Sequence, residues 1–96
     1  MKTINLEHGT VELYGRDPGW LASTTVKIGD RSTNERAFTV QATGPSPGLA
    51  LCSLRDHLYT VWEVARLLSS LDYFETDHIY QLADEVLAHN KKDLNL

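Results

Sequence analysis

The sequence is short of the residues that hold small secreted domains together or that place a chain in a membrane. Cys52 is the only cysteine among 96 residues, so an internal disulfide bond is excluded. Small secreted domains usually depend on such bonds, so a single cysteine favours a reducing compartment. The sequence contains neither the apolar run of a signal peptide nor the ~20 apolar residues of a membrane-spanning helix. We therefore expect a soluble, cytoplasmic protein that does not bind membranes.

Basic residues are also scarce, which bears on nucleic-acid binding. The chain carries 9 lysines and arginines against 13 aspartates and glutamates, a formal net charge of −4. Residues 49–96 account for the whole excess, with eight acidic and four basic residues. Binding to DNA or RNA draws its affinity from clustered basic side chains that displace counterions. We therefore expect no direct nucleic-acid binding, and instead a protein partner with a basic surface, such as a nucleic-acid-binding complex.

Recognisable catalytic and metal-binding motifs are missing as well. His78, Glu85 and His89 fall on roughly one side of a predicted helix, but they do not have the spacing of a zinc-binding motif. Cys52 and His57 are five residues apart, a separation that turns two helical side chains away from each other. The sequence therefore predicts a protein that is not an enzyme and needs no metal or cofactor. A small enzyme that uses His57, His78 or His89 is an alternative.

Alternating apolar residues predict β-strands in the first half of the chain. Residues 11–14 alternate and end at a cluster of turn residues, 15–19. Residues 20–28 place apolar and β-branched side chains at every second position, the pattern of a half-buried strand. Residues 38–42 repeat this pattern, and residues 4–6 allow a fourth strand. The connections are too short for crossover helices, so we expect an antiparallel meander.

Apolar residues at intervals of three and four predict two helices in the second half. Ser46 is the expected N-cap of the first helix and Pro47 its first residue. Its apolar stripe consists of Leu51, Leu54, Leu58, Val61, Ala65 and Leu68, widened by Val64, Leu67 and Leu71. The apolar face of the second helix consists of Ile79, Leu82, Ala83 and Val86. We expect the widened stripe to make the first helix the spine of the core.

Together these patterns predict one α+β domain that spans residues 1–96. It consists of a three- or four-stranded antiparallel β-meander followed by two α-helices packed on one face of the sheet, in the order β-β-β-α-α. The strand-rich part covers residues 1–43, the helical part residues 46–91, and a short frayed tail residues 92–96. The other face of the sheet would then meet solvent or a partner.

Two groups of aromatic and charged residues form the predicted partner-binding site. The first group is spaced by four, three and four residues, so it forms a stripe along the first helix: Arg55, Tyr59, Trp62 and Arg66. Tyrosine, tryptophan and arginine are enriched at binding hot spots. The second group lies in the turn before the second helix: Asp72, Tyr73, Phe74, Glu75 and Asp77. The alternative is that Trp62 packs beneath the second helix, while the arginines extend along the surface and pair with the acidic residues of that helix. One of the turn aromatics would then fill the helix junction.

These features predict a small, acidic, non-enzymatic protein-binding domain. In size, charge and lack of motifs it resembles anti-CRISPR proteins and other phage- or plasmid-encoded inhibitors of host-defence or nucleic-acid-processing complexes. The alternative is an antitoxin or regulatory subunit of a small bacterial complex that acts as a homodimer. Residues 38–54 are similar to the sheet-to-helix junction of HicB-type antitoxin domains.

Overall fold

The computed structural model describes residues 1–16, 18–28, 36–69 and 77–94. Four strands come first: β1 (Lys2–Leu6), β2 (Gly9–Arg16), β3 (Gly19–Ile28) and β4 (Arg36–Gly44). Two helices follow: α1 (Pro47–Ser69) and α2 (Asp77–Leu94). The strands form one antiparallel sheet in the order β1-β2-β3-β4. The predicted α+β class is confirmed, and the fourth strand is present.

Short connections explain this strand order. Leu6 pairs with Gly9 and Arg16 pairs with Gly19, so two residues separate the paired ends in each of the first two hairpins. Antiparallel neighbours can be joined by turns as tight as these. A Cβ atom on Gly19 would lie 2.7 Å from the carbonyl oxygen of Gly44. Glycine at position 19 therefore allows β3 to begin directly beside the end of β4.

The chain enters α1 as the sequence predicts. The Leu49 N–H donates to Ser46 Oγ at 3.2 Å, and the Ala50 N–H donates to the Ser46 carbonyl at 2.9 Å. Pro47 is the first helical residue. A backbone N–H at this position would have no partner within the helix, so a proline here costs no hydrogen bond. A Cβ atom on Gly44 would lie 2.5 Å from the Ala50 nitrogen. Glycine therefore lets β4 end directly against the helix that follows it.

The core lies between one face of the sheet and the two helices. The strands contribute Ile4, Val11, Leu13, Ala22, Val26, Val40 and Ala42. The helices contribute Ala50, Leu51, Leu54, Leu58, Ala65, Ile79, Leu82, Ala83 and Val86. Thr24 is also buried, and its hydroxyl donates to the Thr10 carbonyl at 2.8 Å, so its polar atom is satisfied. The predicted apolar face of α2 is confirmed.

Two details of the helices differ from the prediction. Val64 and Leu67 were expected to widen the core stripe of α1, but they are 52% and 74% exposed. Val64 lies beside β4, where the sheet ends among the described residues, and Leu67 follows one turn later. Leu71 lies outside the described residues. The second helix continues to Leu94, past the expected end at residue 91, because residues 92–94 contain no glycine or proline.

Candidate functional site

The aromatic part of the predicted site lies where α1 meets α2. Tyr59 and Trp62 of α1 pack against Tyr80 of α2, with ring centroids 5.4 and 4.9 Å from the Tyr80 ring. Tyr59 and Trp62 are half-buried, and Tyr80 is 42% exposed. The guanidinium of Arg66 lies 5.3 Å from the Trp62 ring centroid, within cation–π range. We call Tyr59, Trp62 and Tyr80 the aromatic cluster; it joins α1 to α2.

Tyr59 and Trp62 differ in whether their polar atoms form a hydrogen bond. The Tyr59 hydroxyl donates to the Asp84 carboxylate at 2.6 Å. This bond and partial burial raise the pKa of Tyr59 to about 12, because both favour the phenol over the phenolate. The indole N–H of Trp62 is buried and finds no acceptor among the described residues. An unpaired buried N–H costs about 1–3 kcal/mol. Tyr59 therefore binds the chain's own α2 through a hydrogen bond, while Trp62 contributes through its ring, which contacts Tyr80 and Arg66.

The other predicted site residues are placed differently. Arg55 bonds to Asp56, the next residue, at 2.9 Å, although its charge lies close enough to Tyr59 to oppose the rise in the Tyr59 pKa. Asp77 is the first residue of α2 and is exposed. Four predicted residues lie outside the described part of the chain: Asp72, Tyr73, Phe74 and Glu75. The structure therefore groups Tyr59, Trp62 and Arg66 at the helix–helix contact, with Trp62 packed against α2 as in the alternative interpretation. Among the described residues Arg55 pairs within α1 and not with an acidic residue of α2.

Two histidines connect the helices to the sheet. His57 of α1 donates through Nδ1 to the Gln41 carbonyl at 3.0 Å. His78 of α2 donates through Nε2 to the Lys27 carbonyl at 2.8 Å. Cys52 is half-buried on α1, and the His57 ring is directed towards β4. The structure therefore does not bring Cys52 and His57 together as a nucleophile and its base.

A third contact, which sequence reasoning missed, connects α2 to the turn between β1 and β2. The backbone N–H of His8 donates to Glu85 Oε1 at 2.9 Å, and His8 Nδ1 bonds to Glu85 Oε2. The bond to Glu85 raises the pKa of His8 above its ordinary value. With Glu7, these side chains bring three potential metal ligands within 4.8 Å of one another. Both Glu85 oxygens already bond to His8, so we interpret the group as a structural contact.

A second candidate surface lies along β4. Within the described residues β4 pairs only with β3, so its other side is a free sheet edge, which we call the β4 edge. A groove of about 440 Å³ runs between this edge and α1. We call it the edge groove; its lining consists of Phe38, Thr39, Val40, Thr60, Val61, Val64 and Ala65. None of these residues is charged.

The edge groove exposes apolar side chains. Phe38 is 47% exposed and Val64 is 52% exposed, and Leu67 extends the apolar surface along α1. Residues 37–43 of β4 include no charged residue and no proline. Edge strands usually carry such residues, because they prevent pairing with other chains. The β4 edge is therefore chemically open to another strand. Two features of the sequence indicate this surface: a strand without charged residues or proline, and the wide apolar stripe on α1.

Comparison of the chain with protein-family models, with curated proteins and with solved structures gave no match. None of the helices in the described ranges combines the length and the hydrophobicity needed to cross a membrane. The aromatic cluster and the edge groove lie on opposite flanks of α1 and are the two candidate functional surfaces among the described residues.

Proposed function

We propose that this chain is a small, non-enzymatic protein-binding domain that binds a strand of another protein chain along the β4 edge. The observation that carries this proposal is the edge groove, an apolar surface lined by uncharged residues beside the edge of β4 that pairs with no other described strand. A free sheet edge supplies backbone hydrogen bonds to an added strand, and a neighbouring groove takes every second side chain of that strand.

The backbone of β4 supports strand addition. The Gln41 carbonyl accepts a bond from His57 of α1, so it lies on the side of β4 away from β3. In an antiparallel strand the N–H and C=O of one residue point to the same side, and alternate residues share that side. Ala37, Thr39 and Thr43 therefore offer their backbone groups to the β4 edge together with Gln41. Because the Gln41 carbonyl already accepts a bond from His57, an added strand would pair mainly with the backbone groups of Ala37, Thr39 and Thr43.

The side chains of the edge groove supply the apolar contribution. Full burial of a valine or phenylalanine side chain contributes about 1.5–3 kcal/mol. Phe38 and Val64 are each about half exposed, so covering both would contribute roughly 2 kcal/mol. Complexes with micromolar affinity need about 8 kcal/mol, so backbone pairing and further apolar contacts must supply the rest. The partner strand is expected to be uncharged, because burying an unpaired charge is costly.

The charge imbalance of the chain favours a second, narrower proposal: inhibition of a host-defence or nucleic-acid-processing complex through an acidic surface. In the described helices Asp84 bonds to Tyr59 and Glu85 bonds to His8, so part of the acidic charge of α2 serves the fold. Glu63 and Asp77 are exposed. A tagged chain that captures a nucleic-acid-binding complex at low salt and releases it at high salt would support this proposal. Capture that is insensitive to salt would contradict it.

Photo-crosslinking in the producing cell tests the strand-binding function. A benzoylphenylalanine at position 64 should form protein adducts, and the same group at position 49 should not. Leu49 is a matched control, because it lies on α1 and is 52% exposed, as Val64 is. Adding Thr39→Pro, which removes an N–H from the β4 edge, should abolish the adducts while circular dichroism shows an unchanged fold. Equal adducts at both positions, or adducts that survive Thr39→Pro, would contradict the proposal.

A further inference from the structure

Resting on the proposed function, we infer that the strand that binds the β4 edge is β4 of a second copy of this chain. The two strands pair antiparallel about a two-fold axis, so the two four-stranded sheets form one continuous sheet. Such an interface is isologous, since each copy contributes the same surface. Three features argue for a second copy over an unrelated strand: the pairing that β4 makes with itself, the position of α1, and the charge of the interface.

The sequence of β4 suits pairing with itself. With the two-fold axis at Thr39, the two Thr39 residues oppose each other and Phe38 opposes Val40 of the second copy. Cross-strand pairs of an aromatic and a β-branched residue are favourable. On the groove side Phe38 is half exposed and Val40 is 8% exposed, so the exposed ring of each copy covers the groove of the other. Thr39, at the axis, is exposed on the opposite face of the sheet.

The position of α1 distinguishes a second copy from an isolated peptide strand. The helix packs over both β4 and β3. Neighbouring strands lie about 4.8 Å apart, so the two-fold axis lies half a strand spacing beyond β4. Because α1 lies between β4 and β3, each α1 helix is about one strand spacing from the axis, and the two helices are about two strand spacings apart. That separation, roughly 10 Å, is the distance at which helices pack. A peptide strand beside β4 would still leave Leu67 in solvent, whereas the α1 helix of a second copy would cover Leu67 as well as Val64.

The flank of α1 that faces the axis is suited to this contact. His57, Thr60, Val64 and Leu67 follow one another at intervals of three and four, so they form one stripe. In a two-fold arrangement the stripes run antiparallel, with Val64 near the axis and Thr60 near Leu67 of the second copy. Among the described residues no acidic side chain lines the edge groove, so this part of the interface brings no two carboxylates together.

The oligomeric state of the full chain tests the inference. Sedimentation equilibrium from ~1 to ~100 µM should show a particle of twice the 10.8 kDa chain mass. Val64→Glu places two carboxylates at the axis and should weaken association at least ~10-fold. Thr39→Pro should weaken it through the loss of an edge N–H. Leu49→Glu makes the same kind of change at equal exposure away from the edge groove, so it should leave the dimer intact.

The outcomes separate this inference from the function on which it rests. A wild-type chain that stays monomeric over this range, or a dimer that survives Val64→Glu, overturns the second copy as the partner. If the monomeric chain still forms adducts at position 64 that depend on the β4 edge, strand binding stands and the partner is a different protein. If it forms none, both proposals fail. Circular dichroism of each variant establishes that the fold is retained.

A disulfide at the axis tests the strand register. Thr39→Cys, made together with Cys52→Ala, should give a covalent dimer on mild oxidation. Directly opposed residues in an antiparallel pair have Cα atoms about 4.5–5.5 Å apart, within the range that a disulfide spans. The matched control is Thr25→Cys in the same background, because Thr25 pairs with Thr39, is exposed, and lies one strand further from the axis. Equal cross-linking of both variants would contradict the proposed axis.

Discussion

The two flanks of α1 carry different kinds of side chains. Aromatic side chains with polar tips face α2 within the chain, whereas aliphatic side chains on the flank that faces the β4 edge are exposed to solvent. The flank that faces α2 carries Tyr59 and Trp62, with rings and polar tips typical of binding hot spots. The flank that faces the β4 edge carries Val64 and Leu67, which look like core residues but are more than half exposed. A large ring with a polar tip suits a contact within the chain as well as one between chains. Whether such a side chain belongs to the fold or to a binding surface therefore depends on whether another element of the same chain covers it.

The largest difference between the two flanks is expected in their contribution to stability. Trp62→Ala should lower the free energy of unfolding by about 2–3 kcal/mol, because it removes a half-buried ring that packs on Tyr80. Val64→Ala should change it by less than about 0.5 kcal/mol, because Val64 is 52% exposed. Urea unfolding measures both changes. It should be done at a protein concentration low enough that association does not contribute.

A conservative substitution separates the two roles of Trp62. Trp62→Phe keeps a ring against Tyr80 and removes an N–H that is buried without an acceptor among the described residues. The gain from removing that N–H offsets part of the lost area, so we expect a change within about 1 kcal/mol. If Val64→Ala destabilised the chain as much as Trp62→Ala, the two flanks of α1 would be equivalent and the comparison would be wrong.

A smaller effect is expected from the polar contact on the α2 flank, the hydrogen bond between Tyr59 and Asp84. Asp84→Asn removes the carboxylate that accepts the Tyr59 hydroxyl, so the pKa of Tyr59 should fall from about 12 towards 10. The loss of a hydrogen bond to a charged group should cost about 1.5–3 kcal/mol, reduced by the partial exposure of the pair and by the amide that replaces the carboxylate. Absorbance at alkaline pH, as a difference between each chain and its Tyr59→Phe variant, measures the pKa.

The same contact predicts the sign of the alkaline pH dependence. The folded chain holds the Tyr59 proton more tightly than the unfolded chain, whose pKa stays near 10. The stabilisation is therefore fully present below pH 10 and is lost as the pH rises from about 10 to about 12. The wild-type chain should lose stability in this window more steeply than Tyr59→Phe. Equal slopes for the two chains would show that the hydroxyl is not held by Asp84 in solution.

Local patterns in the sequence were sufficient to predict the fold. Alternation along residues 20–28 and intervals of three and four along α1 report which face of each element is buried, and Ser46 with Pro47 marks the start of the helix. These signals span a few residues. They predict three of the four strands and both helices, and they allow the fourth strand, without any knowledge of which elements touch.

The candidate surface could be predicted only in part, because it depends on contacts between distant residues. The stripe that contains Tyr59 and Trp62 was visible, but Tyr80, which covers one side of it, belongs to another helix. The apolar width of α1 was visible too, but a helical stripe does not show where the sheet beneath it ends. The stripe therefore predicts Val64 as a core residue, although it is 52% exposed. The contact between His8 and Glu85 joins residues 77 positions apart, so no spacing rule indicates it.

The smallest expected effect concerns that contact, which attaches α2 to the sheet at a distance from both flanks of α1. Glu85 holds the pKa of His8 above its ordinary value, chiefly through their hydrogen bond. Glu85→Gln should lower the His8 pKa towards 6.5, as measured by NMR titration of the ring protons. A histidine whose folded pKa is raised stabilises the fold fully below pH ~6.5, and this stabilisation is lost as the pH rises through the folded value.

The aromatic cluster supplies the internal control for this last change. If the rings of Tyr59, Trp62 and Tyr80 position α2 independently of the sheet contact, Glu85→Gln leaves the pKa of Tyr59 at about 12. If the pKa values of His8 and Tyr59 fall together, the contact with the β1–β2 turn is what holds α2 against α1. The sheet would then hold both flanks of α1 in place. The two flanks would differ only in that α2 covers one of them and leaves the other exposed.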